Sequence, residues 1–488
     1  MEYISGRDRN QRNLLPDCIE DYVEENNSVR VIDAYVDSLD MEALGFSRGR
    51  PNETGRPMYS PYDLLKLYLY GYMNRIRSSR RLEAETARNL EVIWLMNQLR
   101  PDHKTIARFR HDNPESLKRA FREFVKLCVR LGLYGRELIA IDGSKFKAVN
   151  SADRSFTEKK LKERMSAIDA KIEEYNQLMD EIDARENDVA TEYTAEEIAS
   201  VVAGLTRKKA EYEGYAHRLE ESGETQLCVT NPESRLIKSN GKIEANYNVQ
   251  AAVDSKNKLL VDFEVTNDVL DKNKLHMMTS RSAELLETED LTAVADTGYD
   301  SATDIARCVM DGIDVHVAGV DITVCVPSNE PSQEITSQVN GRCVYFSERN
   351  IAICPMGHVM YPARYTREGK AAFHNFKACG KCVCRYTPRK YREFVIAMPA
   401  GQFRTLYDDS DLFLKQVRIT PNQKLVKLRK TIVEHPFGTV KQAMDSRHCL
   451  TKGLRNVSGE FSLAFLAYNL KRVINILGTE KFLTALQM

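Results

Sequence analysis

"RELIAIDGSKFKAV", Arg136 to Val149, is the stretch on which the reading of the fold turns. Leu138 to Ile141 is a short apolar run, the pattern of a strand buried in a sheet. It stops at Asp142, and Gly143, Ser144 and two lysines follow. "LTAVADTGYDS" repeats the design: the run Ala293 to Ala295 stops at Asp296, with Gly298 two residues on. A lone aspartate after a strand is more often a helix cap or a loop ligand. Two of them, each at a strand exit, can meet at one sheet edge. Hard carboxylate oxygens there suit Mg²⁺ or Mn²⁺, and a pair of such ions activates an attacking oxygen and stabilises a leaving one in phosphoryl transfer.

The surroundings supply the rest of a sheet. "NYNVQAAVD" and "KLLVDFEVT", within residues 245–266, alternate like paired strands about the polar turn Ser255-Lys256-Asn257. A helix is expected over 273–286. Between the first strand and this hairpin, Leu161, Met165, Ile168, Ile172, Tyr175, Met179 and Ile182 recur at steps of four and three, a heptad seam. Ile198, Val201, Leu205, Tyr212, Tyr215 and Leu219 return it, with Lys208 interrupting and a capping box at Thr194 to Glu197. The spacing predicts an antiparallel coiled-coil arm over 155–222, either a plain structural hairpin or a surface for a second copy or DNA.

Residues 1–130 read as helical. Ser60 and Pro61 suit the cap and first position of a helix over "SPYDLLKLYLYGYM". Arg75, Arg77, Arg80, Arg81, Lys104, Arg108 and Arg110 gather on these short segments. Arginines near helix starts suit phosphate contact; the plainer reading is a solvated helical face. From residue 320 to 400 the strands shorten and cysteines concentrate. Cys379-x-x-Cys382-x-Cys384 and the upstream Cys354-Pro-Met-Gly-His358 have the spacing of a structural zinc site. Its ligands would be Cys354, Cys379, Cys382 and either Cys384 or His358, organising residues 343–390; the alternative is a set of reduced thiols. The tail is helical again, and Pro436 places Glu434 near a helix start.

Composition narrows the class. Lys+Arg and Asp+Glu balance at 70 each among 488 residues, so any basic surface is local. Eleven cysteines make an odd count for a disulfide framework. No apolar run reaches membrane-spanning length, and "MEYISGRDRNQRNLL" lacks a signal-peptide core. The expectation is a cytoplasmic protein with no membrane partner.

The order Asp142, Asp296, Glu434 resembles the catalytic DDE triad of bacterial insertion-sequence transposases. "AIDGSKFKA" and "VADTGYDS" resemble that family's two aspartate strands. "IVEHPFGTVK" resembles its glutamate segment, with Lys441 seven residues after Glu434. The hairpin and the leading "PYDLLKLYLYGYMNRIRSSRRLE" resemble one branch of the family, which carries a cysteine-bearing insert before the glutamate.

The resemblance implies an α/β chain: a ribonuclease-H-like mixed sheet (131–320 and 401–488), an N-terminal helical DNA-binding domain (1–130), the inserted arm, and a small cysteine-rich insert (321–400). It implies DNA cleavage at the terminal inverted repeats, then joining of the 3′ ends to target DNA, by chains acting as a homodimer on double-stranded DNA. Two Mg²⁺ or Mn²⁺ ions would be held by Asp142, Asp296 and Glu434. Phosphates would meet Lys441, Arg429, Lys430, Arg80, Arg81, Arg108 and Arg110. Lys427 and Lys430 stand where related transposases often carry tyrosine and arginine; Arg429 lies beside the second to supply the charge, and a lysine there is not equivalent to a bidentate guanidinium. The competing readings are a DNA-binding protein of transposon origin and a nuclease that cuts without joining.

Overall fold

The structure, a computed structural model, describes residues 18–47, 49, 58–184, 195–239, 241–327, 343–346, 350–354, 358–381, 393–404 and 414–487. The chain opens with six helices: α1 (Ser28–Asp37), α2 (Pro61–Met73), α3 (Ser79–Arg88), α4 (Leu90–Leu95), α5 (His103–Asp112) and α6 (Pro114–Arg130). Ser60 caps α2 by accepting from the Tyr62 amide at 3.2 Å, with Pro61 in the first turn. Nearly all of α2 is buried, including Tyr68 and Tyr72.

β1 (Leu138–Lys147) follows, then β2 (Ser155–Thr157) and the arm helices α7 (Glu158–Ala184) and α8 (Ala195–Ser222). The arm packs along its seam: Leu161, Ile168, Tyr212 and Leu219 are buried, with Phe156 of β2 beneath them. Thr194 of the expected capping box lies outside the described residues. β3 (Gln226–Cys228) returns antiparallel to β2 and closes the arm's base.

The central sheet adds β4 (Arg235–Ser239), β5 (Lys242–Asp254), β6 (Leu260–Thr266), and, after α9 (Leu275–Leu286), β7 (Thr292–Ala295); α10 (Ala302–Met310) then leads to β8 (Asp314–Val317). β5 is antiparallel to β1 and paired with β4 and β6, while β7 and then β8 run parallel to β1. An antiparallel hairpin on one side of the first strand and parallel strands on the other is the ribonuclease-H-like arrangement. β1 runs further than the apolar run implied. Its pairing with β5 continues from Asp142↔Ala251 to Lys147↔Asn246, because the long β5 supplies partners well past the point where β7 ends.

Beyond β9 (Ile322–Pro327), a five-stranded antiparallel sheet forms the insert: β10 (Val344–Phe346), β11 (Ile351–Ile353), β12 (Val359–Tyr365), β13 (Lys370–His374) and, past α11 (Phe376–Lys381), β14 (Glu393–Ala397). It has its own core around Tyr345, Phe373 and Phe394. After α12 (Ala400–Arg404), β15 (Leu414–Ile419) pairs back with β9 and returns the chain to α13 (Gln423–Gly438), α14 (Leu454–Leu477) and α15 (Thr479–Leu486).

One apolar core runs from the leading helices into the sheet. Phe121 of α6 meets Phe263 of β6 edge-on at 5.3 Å, and Phe465 of α14 meets the same ring at 5.0 Å. Among the described residues no helix is long and apolar enough to cross a membrane.

Candidate active site

The parallel register pairs Ala140 with Val294. Asp142 and Asp296 follow two residues further on, near enough for the Asp296 charge to act on the Asp142 carboxyl. Each carboxylate takes a local amide: Gly143 N donates to Asp142 Oδ1 and Gly298 N to Asp296 Oδ1, both at 2.9 Å. Burial pushes the Asp142 carboxyl up to about 6, opposed by the Arg429 guanidinium and reinforced by Asp296. Two like charges brought together at a partly dry edge favour a bound proton or cation.

α13 lies over this edge, packed against β1, β5 and β7. Asn422 caps it, accepting from Lys424 N at 3.0 Å. Ile432, Val433, Pro436 and Phe437 form its buried face. Arg429 falls on that face and reaches Asp142 Oδ2 at 3.0 Å; the two side chains are 12% and 23% exposed. Glu434 lies five residues on, roughly 140° further around the helix, and is exposed. It sits deep in α13, not near its start. Pro436 removes only one amide close to the C-terminus, where the helix passes into a π turn at Thr439–Ala443. From that turn the Lys441 ammonium donates to Ser144 Oγ at 2.7 Å and the Lys145 carbonyl at 3.0 Å, above the Phe146 ring. Burial lowers its pKa.

Asp142, Asp296 and Arg429 therefore stand together, with Lys441 reaching β1 further along, at Ser144 and Lys145. Among the described residues no group of three or more His, Cys, Asp or Glu side chains is disposed to hold an ion. Arg80 and Arg81 are exposed on α3, and Arg108 is exposed beside Asp112 at 3.6 Å. Arg110 is a correction. It is 8% exposed, donates to Tyr72 Oη at 3.3 Å and lies over the Tyr68 ring, so it is occupied inside the helical core, away from any phosphate. Cys354 is buried where β11 ends and Cys379 is half-buried on α11; Cys382 and Cys384 lie outside the described residues. His358 is exposed, its carbonyl accepting from Cys354 N.

Sequence reasoning missed Asp271. Its carboxylate accepts from Lys145 Nζ at 3.0 Å, Asn248 Nδ2 at 2.6 Å and Gln250 Nε2 at 2.7 Å. It occupies the space beside both motif glycines. A Cβ at Gly143 would lie 2.4 Å from Asp271 Oδ1, and one at Gly298 would lie 3.4 Å from Asp271 Oδ2. Tyr299, buried behind, donates to Gln250 Oε1. The available signal was Asn248 and Gln250, polar residues spaced by two and so on one face of the strand.

Residues 222–470 match the family profile described as "Transposase DDE domain". The chain belongs to the DDE transposase family. Residues 17–112 match a second profile, "Transposase domain (DUF772)", over the leading helices. The DDE match takes in Asp296 and Glu434 and begins at the end of the arm, so it does not include Asp142. Family membership makes this DDE transposase an enzyme of the nuclease and transposase type. No curated protein matches the chain. A solved structure, the cryo-EM structure of a piggyBac transposase synaptic complex with hairpin DNA, is 9% identical over 95% of this chain and 80% of that one, with a TM-score of 0.32. At that level it adds nothing to the reading of this transposase.

Proposed function

We propose that the chain cuts DNA at the terminal inverted repeats of its insertion sequence and joins the freed 3′ ends to target DNA, working as a homodimer on the duplex. The observation that carries this is the pair Asp142, within β1, and Asp296, just past the end of β7, beneath a helix that bears Glu434. Asp142 and Asp296 are donors of the kind Mg²⁺ or Mn²⁺ takes: hard oxygens, partly dry, with Asp142 holding its proton unusually tightly in a cation's absence. Asp142 and Asp296 would hold the ions, and Glu434, which is exposed on α13 and not gathered with them here, would complete their ligation. Bound there, they would supply an activated attacking oxygen and a stabilised leaving one. Arg429, which contacts Asp142, would pass to a DNA phosphate once a cation takes its place. Lys441, Lys430, Arg80, Arg81 and Arg108 would hold the backbone. In the insert, Cys354 and Cys379 with Cys382 and Cys384 would take one structural zinc.

The test is to incubate purified protein with DNA carrying the element's ends and a target plasmid, with Mg²⁺ or Mn²⁺. Cut ends and joined products are expected. Asp142→Ala, Asp296→Ala and Glu434→Ala should each abolish cutting and leave end binding intact. Cutting by Asp142→Ala rejects the assignment, and cutting without joining favours a nuclease.

A further inference from the structure

We propose that the cleft at the base of the arm seats a stretch of DNA phosphate backbone beside the cleavage site. This rests on the reading of the chain as a DNA-acting transposase and adds a second place where it grips the duplex.

The cleft holds about 540 Å³ between α7 and α8, floored by Phe156, Tyr212 and Tyr215. It coincides with the interruption in the heptad pattern. Lys208 stands where the seam calls for an apolar residue, and a lysine there weakens the coil. Its neighbour Lys209 shows the ordinary fate of an arm lysine, paired across the helices with Asp169 at 2.6 Å. Lys208 instead lines the cleft, with Arg154 and Lys171. Among the described residues none of these three has a carboxylate within ion-pair distance. Arg164, a fourth cation on the wall, is held in place: its guanidinium lies over the Phe156 ring at 5.4 Å and the Tyr212 ring at 5.7 Å, and donates to Tyr212 Oη at 3.0 Å. A planar fork fixed in this way suits phosphate oxygens.

The acids on the cleft are already engaged. Asp153 lies 3.7 Å from Arg164, and Glu211 accepts from the Tyr215 hydroxyl. Beyond Lys171 the sign of the arm reverses, with Glu173, Glu174 and Asp180 on α7 and Glu196 on α8. A polyanion is therefore repelled from the outer part of the arm and met by the cations of the cleft nearer its base.

The base is also fixed relative to the active site. β2 and β3 close it, Val229 N donates to the Arg154 carbonyl at 2.9 Å, and Thr230 N donates to Asn150 Oδ1 at 3.0 Å. Twelve residues of chain separate Asp142 from Arg154, a reach of roughly 40 Å at most. One turn of duplex is about 34 Å, so DNA cut at Asp142 and Asp296 can lie along the base of the arm.

The test uses the full chain. Arg154→Ala/Lys171→Ala/Lys208→Ala removes three exposed, unpaired cations, and unchanged melting checks that it folds; Lys208→Glu alone serves if it does not. Binding of a labelled duplex of about 40 base pairs is followed by anisotropy across a salt series, since phosphate contacts do not depend on sequence. The expected result is affinity at least about tenfold weaker at physiological salt, with the salt slope shallower by roughly 2–3. Glu173→Ala/Glu174→Ala should bind as tightly as wild type or more so. Unchanged affinity and slope in the triple variant would overturn this proposal and leave the transposase reading standing. A wild-type chain that binds no duplex at any salt would overturn both.

Discussion

Gly143 and Gly298 are glycines for the same reason: a carboxylate occupies the space where their side chains would be. Asp271 presses against Gly143 and stands close beside Gly298, locking together the two turns that carry Asp142 and Asp296. Gly143→Ala should therefore destabilise the protein by about 1–3 kcal/mol through overpacking and abolish cutting. Adding Asp271→Ala should recover only part of the melting temperature, because Gln250 Nε2 and Asn248 Oδ1 would still lie 2.5 and 3.0 Å from the new Cβ, and should not restore activity; a double-mutant cycle reads that non-additivity directly. Additive losses would show that the two residues do not press on each other. The motif words were legible from sequence, but Asp271 was not, because its three partners reach it only once β1 and β5 have paired. Asp142 also sets a pH dependence. Its carboxyl is raised from the ordinary 3.8 to about 6, so the metal-free fold loses stability as pH rises through that window and the charge appears. A cation offsets that charge and competes with the proton. The rise in melting temperature given by Mn²⁺ at pH 7.5 should shrink as pH falls through 6 and be absent in Asp142→Asn. An increment that grows toward acid would contradict the site.

At the scale of elements, α13 decides how much of the site is assembled. Pro436 reads in sequence as a barrier that puts Glu434 at a helix start. The structure instead begins the helix at its Asn422 cap and spends the proline in the last turn, where few amide bonds depend on it. What sequence cannot show is which side of α13 faces the sheet. Arg429, Ile432, Val433 and Phe437 share that side, and Glu434 is turned away from it. Asn422→Ala should cost about 1 kcal/mol, visible as a lower urea midpoint, and loosen the hold of Arg429 on Asp142. No change in midpoint would mean that α13 is held by packing alone. Much of the arm was legible because a heptad seam is a local pattern, needing no distant partner to declare itself, although Val201 of that seam is exposed.

At the scale of the whole molecule, the leading helices are bound into the catalytic sheet by more than apolar packing. Arg77 and Glu460, 6% and 3% exposed, form a buried ion pair between the start of α3 and α14. Arg77 also donates to the Asp445 and His448 carbonyls, and Glu460 accepts from the Leu450 and Thr451 amides at 3.0 Å. In sequence Arg77 reads as one more cation for DNA, because nothing local distinguishes it from Arg80 or Arg81. Glu460→Ala strands a buried guanidinium and frees the 445–451 loop. It should cost about 3–5 kcal/mol and lower melting of the helices and the sheet together. Two separate transitions would show that they unfold apart.

The arm also changes what β1 must wait for. Its neighbour β5 begins almost a hundred residues along the chain, and joining strands so far apart carries a loop-closure cost that grows with the logarithm of length. α7 and α8 form by local contacts, and the short ladder of Ser155–Thr157 with Gln226–Cys228 ties off their base. The loop left to close is then only about twenty residues, a saving of about 1 kcal/mol in chain entropy. Replacing the arm by a flexible Gly/Ser linker of equal length should therefore slow refolding of the sheet by up to about tenfold, measured by stopped-flow fluorescence. An unchanged rate would mean that the sheet assembles before the arm does.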